Sequence, residues 1–470
     1  MDLDPVILSR IQFAFVISFH ILFPAFTIGL ASFIAMLEGR WLVTRNEVYL
    51  RLSKFWTRIF AVSFGMGVVS GIVMSYQFGT NWSRFADRTA NVIGPLLSYE
   101  VLTAFFLEAS FLGILLFGRN RVPPKVFFAS ALIVAIGTLL STFWILSANS
   151  WMQTPAGYEV KDGMFYVVDW WKVVFNPSFP YRLAHMVTAA FLTTAFVVIG
   201  VSAWYLLRGR FADTARAGLS MSLWLVLVLA PLQVFIGDLH GLNTREHQPA
   251  KVAAMEANWE TQRRMPLVLF AIPDPVNERN RLEIAIPALG SLILTHDWDG
   301  EVKGMKDWPR EDRPSSIFPF YGFRLMVGLG VLMLFVAGAG FLLRLSGRLY
   351  ETRWFLRLCN LMLPSGFLAV LAGWFVTETG RQPWLVYGVM RTAEGASPSI
   401  TWQSVALSLT LFVLVYGFIF GAGVYYIVKM VKRGPDAPGT GPDHGTPARP
   451  PAGGTPARPM SASEPSAQEG

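Results

Sequence analysis

Seven side chains in this sequence lie inside long apolar stretches although their types can do redox or proton chemistry: His20, Glu100, Glu108, His185, Arg324, Met326 and Glu378. Ionisable groups in an apolar helix are costly unless paired or used, so each is a candidate for function. A His/Met pair, Met326 with one of the two histidines, would be the ligand set of a six-coordinate, low-spin haem with a raised potential. Arg324, two residues before Met326, is a cation suited to a haem propionate. Glu100 and Glu108 are eight residues apart, about 80° around an ideal helix and about 12 Å along it, a spacing that lets both line one proton-conducting channel. Trp374 and Glu378 are one helical turn apart, so the indole packs beside whatever the carboxylate binds, with Arg381 as a nearby cation. A carboxylate as sole axial ligand would leave a weakly held, reactive iron, although composition alone does not assign that role. Each residue also has a plainer use. A membrane histidine can simply hydrogen-bond a neighbouring helix, one methionine among 17 is ordinarily core filler, and the two glutamates can be structural hydrogen-bonding groups.

The elements that must position these groups are membrane helices. Hydrophobic residues make up 53% of the chain and charged residues 15%, too apolar for an ordinary soluble domain. A bilayer core about 30 Å thick needs about 20 helical residues. Nine segments qualify, near 12–37, 55–78, 94–118, 125–147, 181–207, 219–238, 318–344, 357–376 and 403–431. The expected fold is therefore an all-α integral membrane protein. The first segment is not read as a cleaved signal peptide, because Asp2 and Asp4 flank it and its apolar run is too long. Seventeen Lys and Arg residues fall in the connections after the odd-numbered segments, against six in the short opposite ones. That bias places the N-terminus outside and the C-terminus in the cytoplasm. All seven groups then fall at similar depth towards the outer face, although the topology was fixed without them. The net charge of +8 is mostly a topological device, and no nucleic-acid partner is expected. A single cysteine, Cys359, excludes an internal disulfide and covalent haem attachment through a C-x-x-C-H motif.

The expected domains are helices one to six over 1–238, an outer loop over 239–317, helices seven to nine over 318–433, and a disordered cytoplasmic tail over 434–470. The loop opens with an amphipathic helix from Pro249 to Trp259 and continues through Pro- and Asp-rich loop. His240, His247 and His296 fall in that loop and His444 in the tail, all four as solvated residues. The tail repeats Gly-Thr-Pro-Ala-Arg-Pro and is too poor in apolar residues to order itself. Gly67 and Gly71 form a G-x-x-x-G that fits close helix packing.

Four stretches carry a family resemblance. Gly373-Trp-Phe-Val-Thr-Glu-Thr-Gly-Arg-Gln-Pro-Trp384 resembles the most specific signature of subunit I of cytochrome bd quinol oxidases. Arg324-Leu-Met326-Val-Gly-Leu-Gly, Phe78-Gly-Thr-Asn-Trp82 and Lys251-Val-Ala-Ala-Met-Glu256 are similar to the same subunit, in order, over residues 5–432. The resemblance implies that His185 and Met326 ligate a low-spin haem b, with Arg324 beside a propionate. It implies that His20 and Glu378 ligate the irons of an oxygen-reducing pair, a high-spin haem b and a haem d or third haem b. Glu100 would sit at that pair as a ligand or proton donor, with Glu108 behind it, and Trp374 and Arg381 would support the site. Lys251 and Glu256 would lie in the quinol-binding Q-loop, whose shortness resembles the branch that includes cyanide-insensitive oxidases. Implied partners are subunit II, small single-helix subunits, ubiquinol and the lipid of a bacterial inner membrane. The implied reaction oxidises quinol outside and reduces oxygen with cytoplasmic protons, building a proton motive force without a pump.

Two rivals make different demands. A b-type cytochrome exchanging electrons with quinone would use the His/Met site but not Glu378, Glu100 or a second iron. A proton-coupled transporter would favour internal repeats, and the two halves of the sequence share none.

Overall fold

In the computed structural model residues 4–435 are described. Among them, nine helices are long and apolar enough to cross a membrane. The first four spans are α1 (Pro5–Thr44), α2 (Glu47–Thr80), α3 (Ala90–Phe117) and α4 (Pro124–Gln153). They are followed by α5 (Phe179–Leu207) and α6 (Ala212–His247), then a short helix α7 (Pro249–Glu256). The bundle closes with α8 (Ile317–Leu345), the pair α9 (Arg353–Leu361) and α10 (Ser365–Thr379), and α11 (Trp402–Arg433). Gly434 and Pro435 end the described chain, so the rest of the expected tail lies outside the described residues.

Local chemistry sets several helix starts. Asp4 caps α1 by accepting from Val6 N at 2.8 Å, with Pro5 in the first turn, and Asn46 caps α2 by accepting from Val48 N at 3.0 Å. Pro249 opens α7 as expected. The centre of the bundle is α5, which packs against α1, α4, α6, α9 and α10. Its middle is small and β-branched, and Gly29 of α1 approaches so closely that an added Cβ would lie 2.5 Å from Thr194 Oγ1. The same threonine donates to the Phe26 carbonyl at 2.8 Å.

At the opposite end from the candidate residues, Arg119 donates to Glu38 at 2.9 Å and to Ser53 at 3.0 Å. Ser53 donates to the same carboxylate, whose side chain is fully buried. This cluster ties together α1, α2 and the turn after α3.

Three features differ from the sequence expectation. The sixth helix runs nine residues past 238, to His247. Its apolar run ends near Phe235, but its hydrogen-bonded helix does not; Asp238, His240 and Thr244 continue it while facing the cavity described below. The connection expected on the outer side therefore starts at Gln248. The eighth span is two helices, because Pro364 supplies no N–H and disfavours helix in the residue before it. A hairpin of β1 (Tyr158–Lys161) and β2 (Met164–Val167) precedes α5, and the stretch expected as Pro- and Asp-rich loop contains a second antiparallel hairpin, β3 (Leu267–Asp274) with β4 (Arg279–Ile286).

Candidate functional site

The helices surround a partly open chamber of about 1870 Å³. Its walls include His20, Glu100, Glu108, His185, Lys251, Glu256, Arg324, Met326, Trp374, Glu378 and Arg381, which are all eleven residues singled out from the sequence. Ligand pockets usually hold about 300–1,000 Å³, so this volume accommodates more than one cofactor-sized group.

Glycines make room for the three candidate soft ligands. A Cβ on Gly71 would lie 3.1 Å from His20 Cε1, one on Gly237 3.7 Å from His185 Cε1, and one on Gly373 2.9 Å from Met326 Sδ. Gly67 receives Phe23 in the same way at 3.1 Å, so the G-x-x-x-G of α2 does pack closely on α1 and also seats an imidazole. His20 Nδ1 is 3.0 Å from Ser70 Oγ, whose hydroxyl donates to the Gly67 carbonyl at 2.9 Å. Gln233 donates to the His185 carbonyl at 3.2 Å, while His185 Nδ1 is buried without a protein partner.

Glu100 and Glu108 are not related as an ideal helix requires. A π-helical turn, Val101–Phe105, lies between them. It absorbs about one extra residue, so the two carboxylates stand about 20° apart around the axis instead of about 80°. Ser141 donates to Glu100 at 2.7 Å, and Glu108 Oε1 is buried without a partner.

Glu378 is the centre of a polar cluster joining four elements. Arg381 pairs with it, Asn149 donates at 3.1 Å and Gln153 at 3.3 Å. Arg182 donates to Asn149 at 2.8 Å. Gln153 also accepts from Lys251 Nζ at 2.7 Å, and Gln248 is the second acceptor of that amine. Burial, with Arg182 nearby, holds the Lys251 ammonium well below its usual value. Two glutamines accept from Nζ, and in the neutral form that burial favours, the remaining lone pair is left to accept. Arg324, expected beside a propionate, donates to Glu256 at 2.6 Å and to the Val268 carbonyl at 2.6 Å. It thus fastens α7 and β3 to α8.

Sequence reasoning missed Arg182, Asn149, Gln153 and His240. Arg182 carried a signal by the cost argument, since it lies four residues into an apolar helix and is buried. His240 and His247, expected as solvated, are half-buried. The extension of α6 brings the His240 ring to 5.5 Å from that of His185, and His247 bonds Asn243. His296 is exposed and pairs with Asp238.

The donor set fits haem better than a bare metal ion. Among the described residues no three His, Cys, Asp or Glu side chains converge on one point. Isolated axial donors suffice where a porphyrin supplies the equatorial nitrogens. The buried Arg182 Nε and Arg381 Nε and Nη1 have no protein partner, as suits guanidinium groups that face propionates.

Comparison with known proteins agrees with this architecture. A family model described as cytochrome bd terminal oxidase subunit I matches residues 8–435. The chain is 36% identical over 443 residues to cytochrome bd ubiquinol oxidase subunit 1 of Bacillus subtilis (strain 168), covering 92% of this chain and 94% of that one. It is 32% identical over 504 residues to cytochrome bd-II ubiquinol oxidase subunit 1 of Escherichia coli (strain K12), covering 92% and 98%. The solved structure of bd oxidase from Geobacillus thermodenitrificans superposes with a TM-score of 0.85 at 32% identity, covering 92% of this chain and 99% of that one. With nine candidate spans among its described residues and a match along nearly its whole length, the chain belongs to the cytochrome bd terminal oxidase subunit I family.

Proposed function

We propose that this chain is the haem-bearing subunit of an inner-membrane quinol oxidase, with quinol oxidised at the α7 side of the chamber and oxygen reduced within it. The observation that carries the reading is that the quinol candidates and the haem candidates line one chamber and are hydrogen-bonded to each other through Gln153.

His185 and Met326 hold the low-spin haem b; His20 and Glu378 hold the high-spin haem b and the haem d or third haem b, with Glu100 beside them. Bound haem supplies the electron transfer and the oxygen chemistry. The protein residues do the rest. Lys251 presents a lone pair to one quinol hydroxyl, and Glu256, held by Arg324, accepts the departing proton. Arg182 and Arg381 orient and neutralise propionates. Glu108 and Glu100, brought to one face by the π turn, pass protons from the opposite side towards the site of oxygen reduction. If the Lys/Arg bias sets the orientation, quinol protons leave outside and consumed protons come from the cytoplasm, so charge separates without a pump. Subunit II, small single-helix subunits and ubiquinol complete the proposed complex. A quinone-linked b-type cytochrome would leave Glu378 and its cluster without a use.

The test is the purified complex supplied with quinol in an oxygen electrode, with a reduced-minus-oxidised absorption spectrum of the same sample. Quinol-dependent oxygen uptake and signals of low- and high-spin haem are expected. Haem signals without oxygen uptake would instead favour the b-type cytochrome. A Glu256→Ala complex oxidising quinol at the parental rate would remove Glu256 from the scheme.

A further inference from the structure

The hairpin β3–β4 carries large apolar residues on both faces, beside the polar Arg279, Asn280, Arg281 and Glu283 of β4. On one, Val268 and Ala271 are buried against Phe320 of α8. On the other, the cross-strand pair Phe270–Ile284 and the neighbouring Ile286 are 46%, 61% and 41% exposed, and Leu282 is 73% exposed. A hairpin with one face in water normally turns polar residues outward. A contiguous apolar face of this kind marks a contact with lipid or protein.

Its position identifies the contact. Tyr321 donates to the Ala271 carbonyl at 3.0 Å and Arg324 to the Val268 carbonyl at 2.6 Å, so β3 stands beside the first two turns of α8. That helix has 29 residues, about 43 Å, against a hydrocarbon core of about 30 Å, which leaves its first turns at headgroup depth. Phe318, Tyr321 and Leu325 share one face of α8 and are 61%, 40% and 49% exposed. The bare face of a membrane span therefore meets the hairpin through a tyrosine, a residue suited to the membrane–water boundary. Towards the turn of the hairpin Arg281 pairs with Asp274 and Arg313 with Glu278, while Glu283, between Leu282 and Ile284, accepts from Asn280 at 2.9 Å.

We propose that β3–β4 is an interfacial membrane element, with Phe270, Leu282, Ile284 and Ile286 resting on the acyl chains of the leaflet on the loop side and its turn in water. Leu267 and Leu269 of β3 also line the chamber, so its mouth at this point opens to lipid, the phase in which a hydrophobic quinol is dissolved.

Cys359 is buried, so a fluorophore on an introduced cysteine reports its own position. Ile284→Cys and Val276→Cys, the latter in the turn and 82% exposed, would be labelled with bimane in the whole complex. Both would be reconstituted in phosphatidylcholine vesicles, beside an unsubstituted complex labelled in parallel. A lipid with a nitroxide high on its acyl chain should quench the label at 284 at least about threefold more than a water-soluble nitroxide does, with the reverse order at 276. Leu282→Cys repeats the measurement should Ile284→Cys fail to assemble. A label at 284 that behaves like the one at 276 would place the face in water and overturn the proposal. Shielding from both quenchers would show that protein covers it, a partner subunit or a second copy, and would overturn it equally. The readout needs no turnover, so it stands or falls apart from the haem assignments.

Discussion

Met326 Sδ occupies the space beside Gly373 so closely that a Cβ there would lie 2.9 Å from the sulfur. The glycine of the Gly-Trp-Phe-Val-Thr-Glu segment thereby sets the position of a thioether on the facing helix. Gly373→Ala should displace the sulfur by a few tenths of an ångström while the flexible methionine absorbs the strain. The expected outcome is a folded complex with a shifted low-spin haem signal and a changed midpoint potential. A redox titration that superimposes on the parent would mean that Met326 is not an axial ligand.

Gln153 is fully buried and accepts from Lys251 while donating to Glu378. Gln153→Leu preserves bulk but removes both bonds. Losing a hydrogen bond to a buried polar group costs about 1–3 kcal/mol. We therefore expect kcat/KM for quinol to fall about tenfold to a hundredfold, with haem content unchanged. Steady-state kinetics beside a pyridine haemochrome assay decide it; unaltered kcat/KM would leave Gln153 a purely structural bridge.

The lowered Lys251 value gives a pH dependence of definite sign. As pH rises through that value the amine loses its proton and gains the lone pair that accepts from quinol, so KM should decrease. Lys251→Met should abolish this limb of the KM profile below the ordinary lysine value. The stability effect has the same direction. Between the lowered folded value and the ordinary lysine value of about 10.4, the unfolded chain binds more protons, so stability rises with pH and is lost as pH falls through the folded value. Identical KM profiles for parent and variant would exclude Lys251 from quinol binding.

The Glu38–Arg119 pair is far from the candidate site along the bundle, yet it joins three elements. Removing one member of a buried pair leaves an uncompensated charge at a cost of about 3–5 kcal/mol. Glu38→Ala or Arg119→Ala should each lower the melting temperature of the complex in detergent, and the double variant should lose less than the sum. Additive losses would show that the pair is not coupled.

Much of this protein was legible in its amino-acid sequence because a bilayer accepts few solutions. Nine apolar runs of about 20 residues had to be helices, since within a single segment only a helix satisfies its own backbone polar groups in lipid. His20, His185 and Glu378 were visible for the same reason, because a titratable group in such a run requires a use. Other relationships depended on tertiary structure. The length of α6 could not be read from hydropathy, because polar residues such as Asp238 and His240 face the chamber and the outer connection instead of lipid, and a hydropathy window cannot tell those surroundings apart. The π turn that aligns Glu100 with Glu108 is a one-residue change in helix phase, lies against α4 and is invisible in residue types. Gln153 and Asn149 are uncharged and raise no alarm in a sequence. Their importance comes only from lying between Lys251, Arg182 and Glu378, groups distant along the chain whose hydrogen bonds must be satisfied together once water is excluded.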